Sequence, residues 1–200
     1  MEPNPLLKEL GIQLTVLYTN NMKKGFDIHI KDNFLDDELY KLIYDKIPFY
    51  MYSDNYSYHD KNNKVVAERN GKPKHLFYGA GVEKNIADHI REKCEKIYNK
   101  KFKEHYTSYT MVARTTPMVH SDLSDKTSHQ IIIYIRGDES LHRGTGFYVK
   151  NNDTCELNTH IGFKQNRAVF WESSTYHSPL IWSDKNQSKR FSIIAQYKEF

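Results

Sequence analysis

Cysteine is nearly absent: Cys94 and Cys155 are the only two in a chain of 200 residues. Their separation fits no metal-binding spacing. A chain of this length buries a core without covalent staples, so two free thiols in a reducing cytoplasm are expected. Long apolar runs are missing too. No segment reaches the length of a membrane span and none has the make-up of a signal peptide, which predicts a soluble, cytoplasmic protein. Nor does one charge dominate: 29 Lys and Arg stand against 25 Asp and Glu, a net of +4. The lysines are spread along the chain, so the mild basicity reads as a solvated surface rather than a nucleic-acid groove. Repeats, low-complexity tracts and linkers are lacking as well. One domain over 1–200 follows, with 1–103 as a strand-and-helix support and 104–200 as the core.

What the chain does have is aromatic weight, 15 Tyr and 10 Phe, which excludes disorder by composition. The first 24 residues show apolar positions without a clean period and read as a short strand or a loose arm. Phe26–Ile30 alternates apolar and polar, the mark of a strand. Asp36 is placed to cap a helix, and Asp37 and Glu38 suit the positive end of its dipole. Leu39, Leu42, Ile43 and Ile47 form its apolar stripe, and Pro48 is expected to stop it. Residues 49–75 crowd Tyr, Asn, Asp, Lys and Gly into a stretch too long for a bare connection. A flap with some strand content is one reading and an ordinary surface loop the other. Ile86, Ile90, Cys94 and Ile97 then repeat at helical spacing between Val82 and Lys100. From residue 104 the texture changes to short strands, at 106–114, 118–121, 129–135, 146–149, 158–163, 168–171, 177–182 and 190–197. This pattern predicts a mainly β fold, a sandwich or jelly roll, with the two helices packed on its larger sheet.

The chemistry gathers in that second half. His120 and Asp122 lie two apart in a segment that reads as a strand running into a turn, so they share a face. One imidazole and one carboxylate make two-thirds of the 2-His-1-carboxylate set that holds non-haem Fe(II). His177, far downstream in another strand-like segment, is the candidate third ligand. Arg190 and Ser192 share a face of the last strand, and the apolar Ile193–Ile194–Ala195 marks that strand as buried. A planar guanidinium beside a hydroxyl suits a carboxylate held bidentately. Gly144-Thr145-Gly146 permits positive φ and close backbone approach, but it lacks the strand–loop–helix context and the Lys of a phosphate loop.

In this order the segments resemble the Fe(II)/2-oxoglutarate-dependent oxygenase superfamily. The resemblance runs over His120-x-Asp122, the apolar 131–135 strand, Gly144–Tyr148, Asn166–Phe170, His177 and Arg190-x-Ser192, covering roughly 104–198. Its implications are a double-stranded β-helix of cupin-like form and an active site in which His120, Asp122 and His177 ligate Fe(II). Arg190, helped by Ser192, would pair with the distal carboxylate of 2-oxoglutarate. Tyr109 is the first candidate for a second cosubstrate contact, ahead of Tyr106, Arg114 and Thr116. The reaction implied consumes O2 and 2-oxoglutarate, releases succinate and CO2, and hydroxylates a small-molecule or peptide substrate. A peptidyl or amino-acid side chain is favoured because the lead-in and core resemble the prolyl-hydroxylase-like group. The spacing to Arg190 is longer than in many of that group, and no Lys takes its place earlier. Two other readings stay open: a cupin-like metal protein that does not use 2-oxoglutarate, and a non-catalytic binding module on the same shell.

Overall fold

The computed structural model describes residues 26–51, 57–59, 65–68, 77–112, 119–137, 139–181 and 190–200. The expected N-terminal arm and most of the Tyr-rich stretch lie outside these residues. The elements in chain order are β1 (Ile28–Lys31), α1 (Asp37–Met51), β2 (Ser57–His59), β3 (Val65–Glu68), β4 (Phe77–Gly81) and α2 (Lys84–Tyr98). β5 (Phe102–Val112), β6 (His129–Arg136), β7 (Ser140–Asn151), β8 (Thr154–Phe163), β9 (Ala168–Glu172), β10 (Tyr176–Ile181) and β11 (Arg190–Glu199) follow. A six-stranded sheet has the order β1-β9-β6-β11-β5-β4, and a three-stranded sheet the order β10-β7-β8. β2 and β3 pair as a separate antiparallel hairpin, which is the strand content foreseen for the Tyr-rich stretch. The fold is the mainly β jelly roll that the strand pattern predicts.

β6 shows how the layers are made. It reads as an unbroken apolar run because both of its faces are buried. Ile131, Ile133 and Ile135 point to the helix side, where they meet Ile43 and Ile47 of α1 and Ile86, Ile90 and Cys94 of α2. Ile132 and Tyr134 point the other way, onto Phe147, Ile161 and Phe163 of the smaller sheet and Val169 and Trp171 of β9. The helices therefore cover one face of the larger sheet, and the space between the two sheets lies on the other. Cys94 and Cys155 are both free thiols, and burial pushes the Cys94 thiol well up.

Two helix details depart from expectation. α1 continues through Pro48 to Met51. Pro48 lies in its last turn, where the missing N–H removes one hydrogen bond and little helix remains to disrupt. In α2 the buried stripe is Ile86, Ala87, Ile90 and Cys94, whereas Ile97 is exposed. Tyr98 takes the inward position instead, stacking on Phe170 with ring centroids 3.7 Å apart. Asn99 then ends the helix in the left-handed conformation.

Asn166, at φ 56°, joins the front of the chain to the barrel. Its Oδ1 accepts from the Leu35 amide at 2.9 Å and its Nδ2 donates to the Leu35 carbonyl at 2.8 Å. Beside it Arg167 grips Asp32 through Nε at 2.6 Å and Nη2 at 3.1 Å.

Candidate metal centre

His120 stands outside the regular strands but pairs with His177 as an antiparallel bridge. The two residues exchange both backbone bonds: His120 N donates to His177 O at 3.0 Å and His177 N to His120 O at 2.8 Å. Asp122 N donates to Ser173 O at 3.0 Å, in the turn between β9 and β10. The Thr127 hydroxyl closes the following turn by donating to the Asp122 carbonyl. These bonds place three side chains together although two of them are far from the third in sequence. Asp122 Oδ1 is 3.8 Å from His120 Nε2, and Oδ2 is 3.4 Å from His177 Nε2.

One ligand atom from each of His120, Asp122 and His177 lies within 4.8 Å of the others, a span one ion closes with small side-chain rotations. His177 is buried and braced: its Nδ1 meets the Thr175 carbonyl at 3.1 Å, and the Trp171 ring packs edge-on at 5.0 Å. A carbonyl at Nδ1 fixes the tautomer that leaves Nε2 as the ligand atom. Burial raises the Asp122 pKa, but the hydrogen bond and charge of His177 and the charge of His120 outweigh it, so the carboxyl is held below its ordinary range. Two imidazoles and one ionised carboxylate on one side of an ion leave its other positions open, which fits Fe(II).

The second polar end lies between the same sheets. Arg190 opens β11, is 3% exposed and donates from Nη1 to the Gly144 carbonyl of β7. Its Cζ sits 5.4 Å from the Tyr134 ring centre, and the Tyr134 hydroxyl shares a 2.7 Å hydrogen bond with Thr145 Oγ1. Among the described residues Arg190 Nε and Ser192 Oγ are buried without a hydrogen-bond partner, and no carboxylate pairs with the guanidinium. Burial pulls the Arg190 pKa down and Tyr134 opposes this. A buried cation with unused donors beside a buried hydroxyl has the chemistry to take an anion, and a carboxylate would satisfy it best. Gly144, which supplies the carbonyl that Arg190 Nη1 meets, is packed tightly against the next strand. At φ 147° it runs so close to β8 that a Cβ would stand 1.9 Å from the Ile161 carbonyl oxygen.

The structure thus brings His120, Asp122 and His177 together and lines Arg190 and Ser192 along the same inter-sheet space. Tyr109 is not brought there. It points to the helix side of the larger sheet, packs in that core and donates to Glu83 Oε2 at 2.8 Å. β5 turns its odd and even residues to opposite faces, and it is Thr110 that pairs with Ser192. Tyr106 is exposed, and Arg114 and Thr116 lie outside the described residues. Tyr134 and Thr145 are the residues that sequence reasoning missed. The signal for Tyr134 was its parity with Ile132 on β6, opposite Ser192 of β11.

No protein-family model matches the chain, and no curated protein does. Solved structures do. A prolyl hydroxylase from Trichoplax adhaerens, in complex with a hypoxia inducible factor oxygen degradation domain peptide fragment, is 14% identical with a TM-score of 0.54. That match covers 85% of this chain and 82% of that one. A prolyl-4-hydroxylase from Pseudomonas putida is 12% identical with a TM-score of 0.53, over 86% of this chain and 93% of that one. The epimerase SnoN, in complex with Fe3+, alpha ketoglutarate and nogalamycin RO, is 8% identical with a TM-score of 0.57, over 86% and 78%. At these identities the likeness establishes the fold: the chain is built on the jelly roll of the iron- and 2-oxoglutarate-dependent oxygenases. Among the described residues no helix is long and apolar enough to cross a membrane.

Proposed function

We propose that this chain is an Fe(II)- and 2-oxoglutarate-dependent dioxygenase that hydroxylates a peptidyl or amino-acid side chain and releases succinate and CO2. The observation that carries the reading is the buried Arg190, with an unused Nε and no carboxylate partner among the described residues, in the same inter-sheet space as the His120–Asp122–His177 cluster. His120, Asp122 and His177 would hold the iron, which together with 2-oxoglutarate and O2 supplies the oxidising power to break an unactivated C–H bond. Arg190 would take the distal carboxylate of 2-oxoglutarate, with Ser192 as a second donor. Tyr134 and Thr145 would line that end, with the Tyr134 ring against the Arg190 guanidinium. Orientation is the contribution of these groups: a cosubstrate held at one end by a fixed cation presents its other end in one pose. The prolyl hydroxylases among the structural matches, one with a peptide bound, support the peptidyl preference.

The test is anaerobic titration of the Fe(II)-loaded protein with 2-oxoglutarate, watching for the visible charge-transfer band of the chelate. A band that appears with wild type and is lost in Asp122→Ala is the expected result. Iron-loaded protein without the band would instead favour a cupin-like metal protein, and failure to bind iron a non-catalytic shell.

A further inference from the structure

Three buried donors at the metal end have no hydrogen-bond partner among the described residues: Gln130 Nε2, Trp171 Nε1 and Ser173 Oγ. They belong together. Gln130 and Trp171 are opposite each other across β6 and β9, and the Trp171 ring lies against His177. Ser173 carries the carbonyl that holds the Asp122 amide, and its own amide donates at 2.9 Å to Ser128, two residues before Gln130. The backbone path Ser128–Ser173–Asp122 brings the segment just before β6 against the Asp122 segment, and Gln130 is two residues further on. Gln130 is only 1% exposed, so water from outside does not serve its amide. Its amide is also among the neighbours that favour the ionised form of Asp122, yet Nε2 makes no hydrogen bond of normal length to a described residue.

A carboxylate that gives one oxygen to an ion keeps a second oxygen that needs a donor, or it rotates and loses its geometry. His120 and His177 cannot be that donor, because their facing Nε2 atoms would be spent on the ion. We infer that Gln130 is a positioning residue, donating from Nε2 to the Asp122 oxygen that does not face the metal and so fixing the carboxylate's orientation. The inference rests on the metal-site reading above. On β11 the buried Gln196 stands opposite Gln130, so this end of the face carries two primary amides.

Cobalt(II) is a suitable probe, because its visible absorption reports ligand geometry without turnover. The full chain is titrated with Co(II) as wild type, Asp122→Ala, Gln130→Leu and Gln130→Met, and the unfolding of each metal-free protein is measured alongside. Gln130→Leu and Gln130→Met are expected to weaken Co(II) binding by roughly 10-fold or more, the usual loss when an outer partner of a ligand is removed. The visible band should shift, and metal-free stability should be unchanged or higher. Unchanged affinity and spectrum in both Gln130 variants, with binding still lost in Asp122→Ala, overturns the inference and leaves the metal site standing. An affinity loss that only tracks lost stability overturns it too, since that is a packing role. Wild type that binds no Co(II) removes both the metal site and the inference.

Discussion

Arg190 and Gly144 join the two sheets: a guanidinium from the larger one donates to a backbone carbonyl in the smaller one. Gly144 also approaches β8 more closely than a residue with a Cβ could. Gly144→Ala is expected to destabilise the protein by about 3 kcal/mol or more, from a Cβ driven into backbone and an unfavourable φ. Gly146→Ala should cost less, because its Cβ would meet the side-chain ends of Leu180 at 2.7 Å and Leu157 at 3.0 Å, which can give. Urea unfolding of the two variants tests the order.

Arg190→Leu separates binding from stability. Removing a buried charge that lacks a protein carboxylate should leave stability equal or higher. Removing one partner of a buried charge pair should cost 2-oxoglutarate at least about 2 kcal/mol of binding, or roughly 30-fold. Isothermal titration of the metal-loaded variant under nitrogen checks the second point and thermal unfolding the first. A loss of fold without a loss of affinity would count against the assignment.

Metal binding should be visible as added stability. At a free ion concentration 100 times Kd the gain is about 2.7 kcal/mol. For a chain of this size that raises Tm by roughly 5–10 °C. Fe(II) under nitrogen, or Co(II) in air, should give the shift in wild type and not in Asp122→Ala. A shift that persists in that variant would place the ion elsewhere.

Asp32 sets an acid-sensitive tie. The Arg167 hydrogen bonds, opposed by burial and helped by Lys164, pull its pKa to about 2 from an ordinary 3.8. A folded-state pKa below the unfolded one means the stabilisation is fully present above about pH 4 and is lost as pH falls toward 2. The pair is partly solvated, so about 1 kcal/mol is a fair size for it. Asp32→Asn should therefore be less stable than wild type at pH 7, with the gap closing near pH 2. A gap that does not change with pH would assign the effect to packing instead.

Seven of the eight strands expected from 104 onward were legible because each carries its own alternation or apolar run between turn residues; the eighth, at 118–121, is no regular strand over its described residues, only the His120 bridge. β4 was not legible: Phe77–Gly81 has two glycines in five residues and no alternation to read. The metal candidates could be named from sequence by residue type and the close His120-x-Asp122 spacing, although it is the backbone bonds to His177 and Ser173, not a strand's alternation, that bring them together. Tyr109 could not be judged in the same way. A strand's period places Tyr109 and Thr110 on opposite faces, but only the pairing of Thr110 with Ser192 says which face looks between the sheets. Tyr134 went unnoticed for the opposite reason, because in an all-apolar run neither face stands out.

Among the described residues β1 borders the larger sheet and pairs only with β9, Ile28 opposite Trp171 and Lys31 opposite Ala168. Among these elements the earliest strand to leave the ribosome must wait for a partner made about 140 residues later. At a synthesis rate of roughly 5–20 residues per second that is a delay on the order of ten seconds. During it Ile28 and Ile30 have no sheet to join, and the face open to α1 and α2 is limited to β4 and β5, since β6 still lacks both of its sheet neighbours. Productive folding of this chain is therefore largely an event of its last quarter, and a nascent chain stalled before β9 is the form that most needs a chaperone.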